Sequence, residues 1–331
     1  MRVAGDVYRG RMARARTLSD LGEGRLIERI ARAARRLDQG GVVLGIGDDA
    51  AILRLREGED LVASTDASVE NVHFRFSYQS PAHVGRRALL ANLSDLAAMG
   101  ARPLGFSLAL SAPASLELAY FDGLVRGLLS EADRHGCPLV GGNLARASQT
   151  SLVIHVYGAV PRGRALRRDA LRHGDRLFVT GLLGAAGLAR AAAEHTGRPM
   201  RQLPTARLAA GRALLGLEGR GACIDLSDGL IADLGHLLEG RGLGAEIDAD
   251  SLPTPGGFTR RCRELGLDPL TLAVSGGEDY ELLFSLRPGA ARGQTLARLG
   301  RRLGAPVSAI GRVFRGRGIR GVPDASGFLH Y

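Results

Sequence analysis

Residues 223–238, CIDLSDGLIADLGHLL, place a short apolar run directly before a helical pattern. The apolar run predicts a buried strand, and the amphipathic pattern predicts a helix. Asp225 and Asp228 lie at the junction, where one N-cap residue would be sufficient. Either Asp228 caps the helix and Asp225 is a surface residue, or both carboxylates bind something positive. A strand that leads directly into a helix is typical of an α/β fold.

The composition is that of a folded α/β protein, with 45% hydrophobic residues, 5% aromatic residues and 47 glycines in 331 residues. That length is sufficient for two domains. No apolar run is long enough to span a membrane, and residues 1–17 lack the apolar segment of a secretory signal. We expect residues 1–17 to be a flexible basic extension. Cys137, Cys223 and Cys262 lack metal-site spacing and are expected to be reduced, as in a cytoplasmic protein.

The net charge is +10, and every basic residue is an arginine. A basic chain raises the question of nucleic-acid binding, but the arginines are scattered, so we do not expect nucleic acid to be the main partner. A sequence without lysine excludes a P-loop, a kinase of the protein-kinase type and Schiff-base chemistry. If this chain handles phosphate, it must use metal ions, arginine and backbone N–H groups.

The periodicity along the chain predicts alternating strands and helices in two halves. We predict a mixed α/β (α+β) architecture with an N-terminal ATP- and metal-binding domain at 18–160 and a C-terminal α/β domain at 161–331. In residues 70–76, ENVHFRF, the alternation predicts a strand with His73 opposite three apolar residues. His73 is then either an exposed surface residue or part of a cleft.

Carboxylates recur at the ends of predicted strands and on one polar helix face. They are Asp48, Asp49, Asp66, Asp95, Asp225 and Asp228. Each one taken singly is typical of a cap or a turn. Together they predict a cation site if they converge, because two carboxylates 4 Å apart repel by about 4 kcal/mol at an effective dielectric constant of about 20. Oxygen ligands without His or Cys favour Mg²⁺, which commonly bridges to phosphates.

Three glycine-rich segments are predicted to be turns that follow strands: GIGDD (45–49), VGGN (140–143) and SGGED (275–279). Backbone N–H groups in such turns approach a phosphate closely. Each segment could equally be an ordinary turn. In combination with the carboxylates, they predict a Mg-nucleotide site that uses no P-loop.

Seven motifs, taken in order, resemble those of the thiamine-monophosphate kinase family, within the aminoimidazole-ribotide-synthetase-like ATP-binding superfamily. They are GIGDDAAIL (45–53), STDASVENVHF (64–74), NLSDLAAMGARP (92–103), VTGLLGAAGLA (179–189), IDLSDGLIADLGHL (224–237), SGGEDYELLF (275–284) and IGRV (310–313). The resemblance implies direct in-line transfer of the γ-phosphate of ATP to thiamine monophosphate, giving thiamine diphosphate. It also implies a homodimer whose N-terminal domains pair their sheets.

The resemblance implies roles for individual residues. Metal-binding roles, for several Mg²⁺ ions, fall on Asp49, Ser64, Thr65, Asp66, Asp95, Asp225 and Asp228. ATP-binding roles fall on Gly142, Asn143, Arg168 and Ser227. Substrate-binding roles fall on His73, Glu278 and Phe328. This chain departs from the family pattern at Asn143, where the family often has a metal-binding Asp, and at the C-terminus, which matches the family's aromatic end only loosely.

Two alternative functions compete with this interpretation. The first is another ATP-dependent synthetase of the same superfamily. The selenophosphate synthetases use an N-terminal Cys or selenocysteine with a Lys, whereas the first cysteine here is Cys137. The hydrogenase-maturation relatives end in a reactive Cys, whereas this chain ends in Tyr331. The second alternative is a non-catalytic basic binding protein, which would gain stability by losing the clustered carboxylates.

Overall fold

The structure is a computed structural model and describes residues 16–34, 41–292 and 295–323. The helices are α1 (Glu23–Ala34), α2 (Pro81–Ala98), α3 (Leu118–His135), α4 (Ala185–Thr196), α5 (Leu208–Leu215), α6 (Leu230–Leu238), α7 (Phe258–Glu264), α8 (Pro269–Ser275), α9 (Pro288–Arg292) and α10 (Leu296–Leu303). The strands are β1 (Val42–Leu44), β2 (Ile52–Leu53), β3 (Glu59–Val69), β4 (Arg102–Ala112), β5 (Leu139–Arg146), β6 (Ser151–Pro161), β7 (Arg176–Thr180), β8 (Arg220–Asp225), β9 (Leu243–Ile247), β10 (Leu282–Leu286), β11 (Val307–Arg315) and β12 (Ile319–Arg320).

The N-terminal half is built on a four-stranded mixed sheet in the order β3-β6-β4-β5. Strand β6 pairs antiparallel with β3 and β4, while β4 and β5 run parallel. The register places Ser64 opposite Val156 and Asp66 opposite Ile154. Val156 and Ile154 are fully buried, so Ser64 and Asp66 lie on the core face of the sheet.

Helices α2 and α3 pack closely because glycines lie where they meet. A Cβ atom on Gly85 of α2 would lie 2.1 Å from the carbonyl oxygen of Leu124, and one on Gly127 of α3 would lie 2.1 Å from that of Ala82. Helix α2 also contacts β3 and β6, and it contacts α5 and β8 in the C-terminal half. It therefore lies where the two halves of the chain meet.

The C-terminal half is built on a six-stranded mixed sheet in the order β12-β9-β11-β7-β10-β8. Its central strand, β7, pairs antiparallel with β10 and β11. Leu177, Ile224 and Leu283 are buried in the core of this half, together with Leu234 of α6. Strand β8 ends at Asp225 and α6 begins at Leu230, which confirms the predicted strand-to-helix junction.

Three predictions about strands and turns are wrong. SGGED (275–279) follows the end of helix α8 instead of a strand. ENVHFRF forms turns instead of a strand, and the predicted alternation fails because Val72 is 55% exposed while Phe74 is 3% exposed. The predicted glycine turn at 140–143 lies within strand β5, where the edge position next to β4 supplies backbone partners. The predicted basic extension lies mostly outside the described residues.

The three cysteines are free and buried, as predicted. None of the helices in the described part of the chain combines the length and the apolar character needed to cross a membrane.

Candidate active site

Strand β3 and helix α2 bring polar side chains together on the core face of the N-terminal sheet. The Ser64 hydroxyl donates to Asp95 Oδ2 at 2.6 Å, and the backbone N–H of Asp66 donates to Asn92 Oδ1 at 3.1 Å. Asn92 is itself anchored, because its amide donates to the Ala88 carbonyl at 2.9 Å. Two strand residues and two helix residues therefore form one polar cluster.

The end of β8 brings a carboxylate of the C-terminal half to this cluster. Asp225 is only 4% exposed. Burial raises its pKa to about 7, and the neighbouring charge of Asp95 adds to the rise, whereas Arg168 opposes it. Burial also raises the pKa of Asp95, against the opposing effects of Ser64 and Arg168. Carboxylates from both halves thus face each other where water is scarce, which is energetically unfavourable without a cation.

The loop between β8 and α6 adds Ser227 and Asp228. The N-cap of α6 is Gly229, so the interpretation of Asp228 as the cap is wrong. The backbone N–H groups of Asp228 and Gly229 both donate to Asp233 Oδ2, at 3.1 Å each. Burial first, and then the charges of Asp225 and Asp228, raise the pKa of Asp233 to about 8. Asp233 therefore shapes the loop and leaves the Asp228 carboxylate available to a ligand.

The turn before β10 lies against this loop. The backbone N–H of Glu278 donates to the Ser227 carbonyl at 2.7 Å, and that of Tyr280 donates to the Leu226 carbonyl at 2.8 Å. Glu278 and Tyr280 have φ values of 61° and 51°, which non-glycine residues seldom adopt. Such backbone strain is typical of functional sites held by their surroundings.

A cavity of about 200 Å³ lies between the two halves. Its polar wall is formed by Asp66, Ser68, His73, Gln79, Arg87, Arg190, Ser227, Asp228, Glu278 and Tyr280. Its apolar wall is formed by Ala67, Val72, Phe74, Val84, Ala88 and Ala91, with Gly276 and Gly277.

Within the described residues, one group of three possible metal-binding side chains has its ligand atoms within 4.8 Å of one another, namely Asp228, Asp233 and His236.

Two arginine side chains surround the Glu278 carboxylate. Its two carboxylate oxygens are 2.5 Å from Arg87 Nη2 and 3.1 Å from Arg190 Nη1. Two guanidinium groups around one carboxylate leave this end of the cavity with a net positive charge. His73 lines the same cavity, but it lies in a turn and not on the predicted strand. Its Nδ1 accepts the backbone N–H of Val69 at 3.1 Å.

Several predicted residues lie elsewhere. Thr65 lies on the opposite face of β3 from its neighbours, and its hydroxyl is hydrogen-bonded to His155 Nδ1 at 2.7 Å. Asp49 is exposed in an irregular segment and is not part of the cavity wall. Gly142 and Asn143 are exposed on β5, at the opposite edge of the sheet from β3, about 14 Å away across three strand spacings. Phe328 lies outside the described residues.

The structure adds six residues that the sequence reasoning missed: Ser68, Gln79, Arg87, Arg190, Asp233 and Tyr280. Arg87 could have been found, because it lies on the α2 face that carries Asp95, two helical turns earlier. Gln79 and Arg190 carry no such signal in the sequence, since neither belongs to a periodic pattern with a known site residue.

Comparison with known families identifies the fold. Residues 47–160 match the family described as AIR synthase related protein, N-terminal domain, and residues 172–323 match AIR synthase related protein, C-terminal domain. The chain is thus an AIR synthase related protein, with a site between the two matched halves.

Within that class, the chain is similar to thiamine-monophosphate kinase of Salmonella typhimurium, with 39% identity over 88% of this chain and 90% of the relative. The chain belongs to the thiamine-monophosphate kinase family. Its fold is similar to the crystal structure of thiamine-monophosphate kinase from Stenotrophomonas maltophilia, with 37% identity, a TM-score of 0.75, and coverage of 89% of this chain and 95% of that chain. It is also similar to AaThiL complexed with AMPPCP and TMP, with 29% identity, a TM-score of 0.73, and coverage of 96% and 100%.

Proposed function

We propose that this protein transfers the γ-phosphate of ATP to the phosphate of thiamine monophosphate, giving thiamine diphosphate and ADP. The observation that carries the proposal is the interdomain cavity, where Asp66 of β3 faces Ser227 and Asp228 of the C-terminal half. Family membership and the complex of AaThiL with AMPPCP and TMP support the same reaction.

The donor set fits Mg²⁺. Asp66, Asp95, Asp225 and Asp228 offer only oxygen atoms, and the raised pKa of Asp225 reflects a carboxylate that lacks a counter-ion of its own. These four residues would hold Mg²⁺, which neutralises phosphate charge when bound. Ser64 and Asn92 would act on this set indirectly, since they fix Asp95 and the backbone of Asp66.

The protein's own task in this reaction is alignment. The acceptor phosphate is already ionised, so no strong general base is required. Arg168 lies close enough to Asp95 and Asp225 to lower their pKa values, a position from which it would approach nucleotide phosphates. Transfer would be direct and in line, without a phosphorylated protein. Asp49, Gly142 and Asn143 do not line the cavity, and their roles in binding metal and nucleotide stay predictions.

The assembly is proposed to be a cytoplasmic homodimer. Val153, His155 and Tyr157 lie on the second face of the N-terminal sheet and are only half-buried. Pairing of this face with the same face of a second copy would cover them, as the family resemblance implies.

Phosphorus NMR of the purified protein with MgATP and thiamine monophosphate tests the proposed reaction. We expect the signals of thiamine diphosphate and ADP to appear together, and we expect Asp228→Asn to abolish them. Glu218→Gln removes a charge on an exposed residue outside the cavity and serves as the matched control. ADP without thiamine diphosphate would favour another synthetase of the class. Salt-dependent RNA binding without ATP turnover would favour the binding protein.

A further inference from the structure

The interdomain cavity contains two buried hydrogen-bond donors without a partner in the described part of the chain. Gln79 is 2% exposed and Arg87 is 7% exposed, and both line the cavity. Gln79 Nε2 and Arg87 Nε have no hydrogen-bond partner. Buried donors are nearly always satisfied in native proteins, so each exception points to a missing acceptor.

The orientation of the Gln79 amide is fixed by its other atom. Gln79 Oε1 accepts the backbone N–H of Arg75 at 3.0 Å. This bond needs the carbonyl oxygen, so the amide cannot be flipped without losing it. Its NH₂ group is therefore the part with donors to spare. The backbone of Gln79 is also fixed, because the next residue, Ser80, is the N-cap of α2.

Arg87 is positioned by Glu278 and still has a free donor. Its Nη2 is 2.5 Å from Glu278 Oε1, and its Nη1 makes only a long contact of 3.5 Å with the His73 carbonyl. A guanidinium carries five N–H donors in a planar fork, so Nε can serve a ligand while the ion pair persists. Because Arg190 shares Glu278, this end of the cavity suits electron-rich acceptor atoms better than a cation.

Helix α2 runs along the cavity from Arg87 at this end towards the carboxylate of Asp95. Arg87 and Asp95 are eight residues apart, about 12 Å along a helix that rises 1.5 Å per residue. Ala88 and Ala91 line the cavity between them, with Val84 and Phe74 nearby. An acceptor whose phosphate lies at the carboxylates therefore crosses an apolar stretch and ends at Gln79 and Arg87.

We propose that Gln79 and Arg87 determine the specificity for the acceptor by donating hydrogen bonds to the ring nitrogens of its heterocycle, with Glu278 as the residue that positions Arg87. This inference rests on the proposed function, in which the acceptor is thiamine monophosphate. The aminopyrimidine ring of that molecule has two nitrogens able to accept such bonds. A site built for these bonds discriminates against acceptors that lack them, because its buried donors then stay unsatisfied.

The test uses two conservative variants. Gln79→Glu keeps an acceptor for the Arg75 N–H but loses the donor, and Arg87→Lys keeps the charge beside Glu278 but loses the planar fork. We expect the KM for thiamine monophosphate to rise roughly tenfold or more in each, because one buried hydrogen bond is lost. The kcat and the KM for ATP should stay within about twofold. Gln202→Glu is the matched control, since Gln202 also has a buried atom without a partner but lies outside the cavity wall.

A truncated acceptor shows which ring is contacted. Hydroxyethylthiazole phosphate lacks the pyrimidine, so its inhibition constant should be equal in wild type and in both variants. Inhibition constants that rise as much as the KM for thiamine monophosphate would overturn the assignment to the pyrimidine. An active wild type whose KM is unchanged in both variants would overturn this proposal and leave the proposed function standing. A wild type without turnover would overturn the proposed function first.

Discussion

Two buried carboxylates of the C-terminal half that have arginine partners, Glu281 and Asp175, differ from the buried carboxylate of Asp225 at the interdomain cleft. Glu281 accepts from Arg207 Nε and Nη2, both at 2.6 Å, and Asp175 Oδ2 lies 2.6 Å from Arg287 Nη1. At the cleft, Asp225 has no ion pair within 4.0 Å among the described residues, and its pKa is raised to about 7 by burial. A carboxylate that serves the fold is buried with its own arginine, whereas one that serves a ligand is buried without it.

The largest effect is expected from breaking a structural pair. Arg207→Met leaves Glu281, which is 6% exposed, with the Thr180 hydroxyl at 2.7 Å as its only side-chain partner among the described residues. Removing one partner of a buried pair typically costs about 3–5 kcal/mol. Urea unfolding should therefore show a loss of this size in the free energy of unfolding.

The matched control for that loss is an ion pair on the surface. Arg312 and Glu246 are 2.7 Å apart, with side chains 65% and 48% exposed. Arg312→Met should cost less than about 1 kcal/mol. Equal losses of unfolding free energy in Arg207→Met and Arg312→Met would remove the distinction between buried, paired carboxylates and ordinary surface charges.

The same contrast explains what the sequence could predict. The strand-to-helix junction at Asp225 was predictable because period and cap chemistry are local. The sequence predicted a cation site only if Asp66 and Asp95 lie close together. It could not show that they do, since spacing along the chain does not determine which strand faces which helix. The pairing of Glu278 with Arg87 was not predictable. It depends on a contact between α2 and a turn almost two hundred residues later, where Arg87 and Arg190 both pair with the Glu278 carboxylate.

The substitution Asp225→Asn is expected to have a smaller effect of the opposite sign. The pKa of Asp225 in the folded protein, about 7, lies above the ordinary aspartate value of 3.8, so the charged form destabilises the fold at pH 8. Asparagine has nearly the same shape and no charge. In chelator at pH 8, urea unfolding should show that Asp225→Asn gains about 1–3 kcal/mol of stability. With MgATP and thiamine monophosphate, the same variant should lose turnover. Glu218→Gln, at an exposed position, should change neither quantity.

Lower stability of Asp225→Asn than of wild type in chelator would mean that the carboxylate already has a stabilising partner within the chain. Asp225 would then resemble Glu281 and Asp175, and the case for a bound cation at this position would be lost.

The smallest effect is expected at Asp279. Like Glu281 it has hydrogen-bond partners within the fold, and like Asp225 it has a raised pKa. Its carboxylate accepts the backbone N–H groups of Gly184 and Ala186, at 2.6 Å and 3.0 Å, at the start of α4. These bonds favour the charged form, yet burial is the larger influence and raises the pKa to about 7. This pKa lies above that of Asp279 in the unfolded chain. The contribution of Asp279 to the free energy of unfolding is therefore complete below about pH 4 and is lost as the pH rises through 7.

Wild type in chelator should therefore lose stability between pH 5 and pH 8, and Asp279→Asn should lose about 1–2 kcal/mol less over the same range. Urea unfolding at several pH values measures both slopes. Asp225 and Asp233 contribute to the wild-type slope in the same direction, so the difference between the two curves isolates Asp279. Parallel curves of unfolding free energy against pH would show that the N–H groups of Gly184 and Ala186 fully offset the effect of burial on the pKa of Asp279. Asp279 would then belong with Glu281 and Asp175, as a carboxylate whose partners within the fold are sufficient.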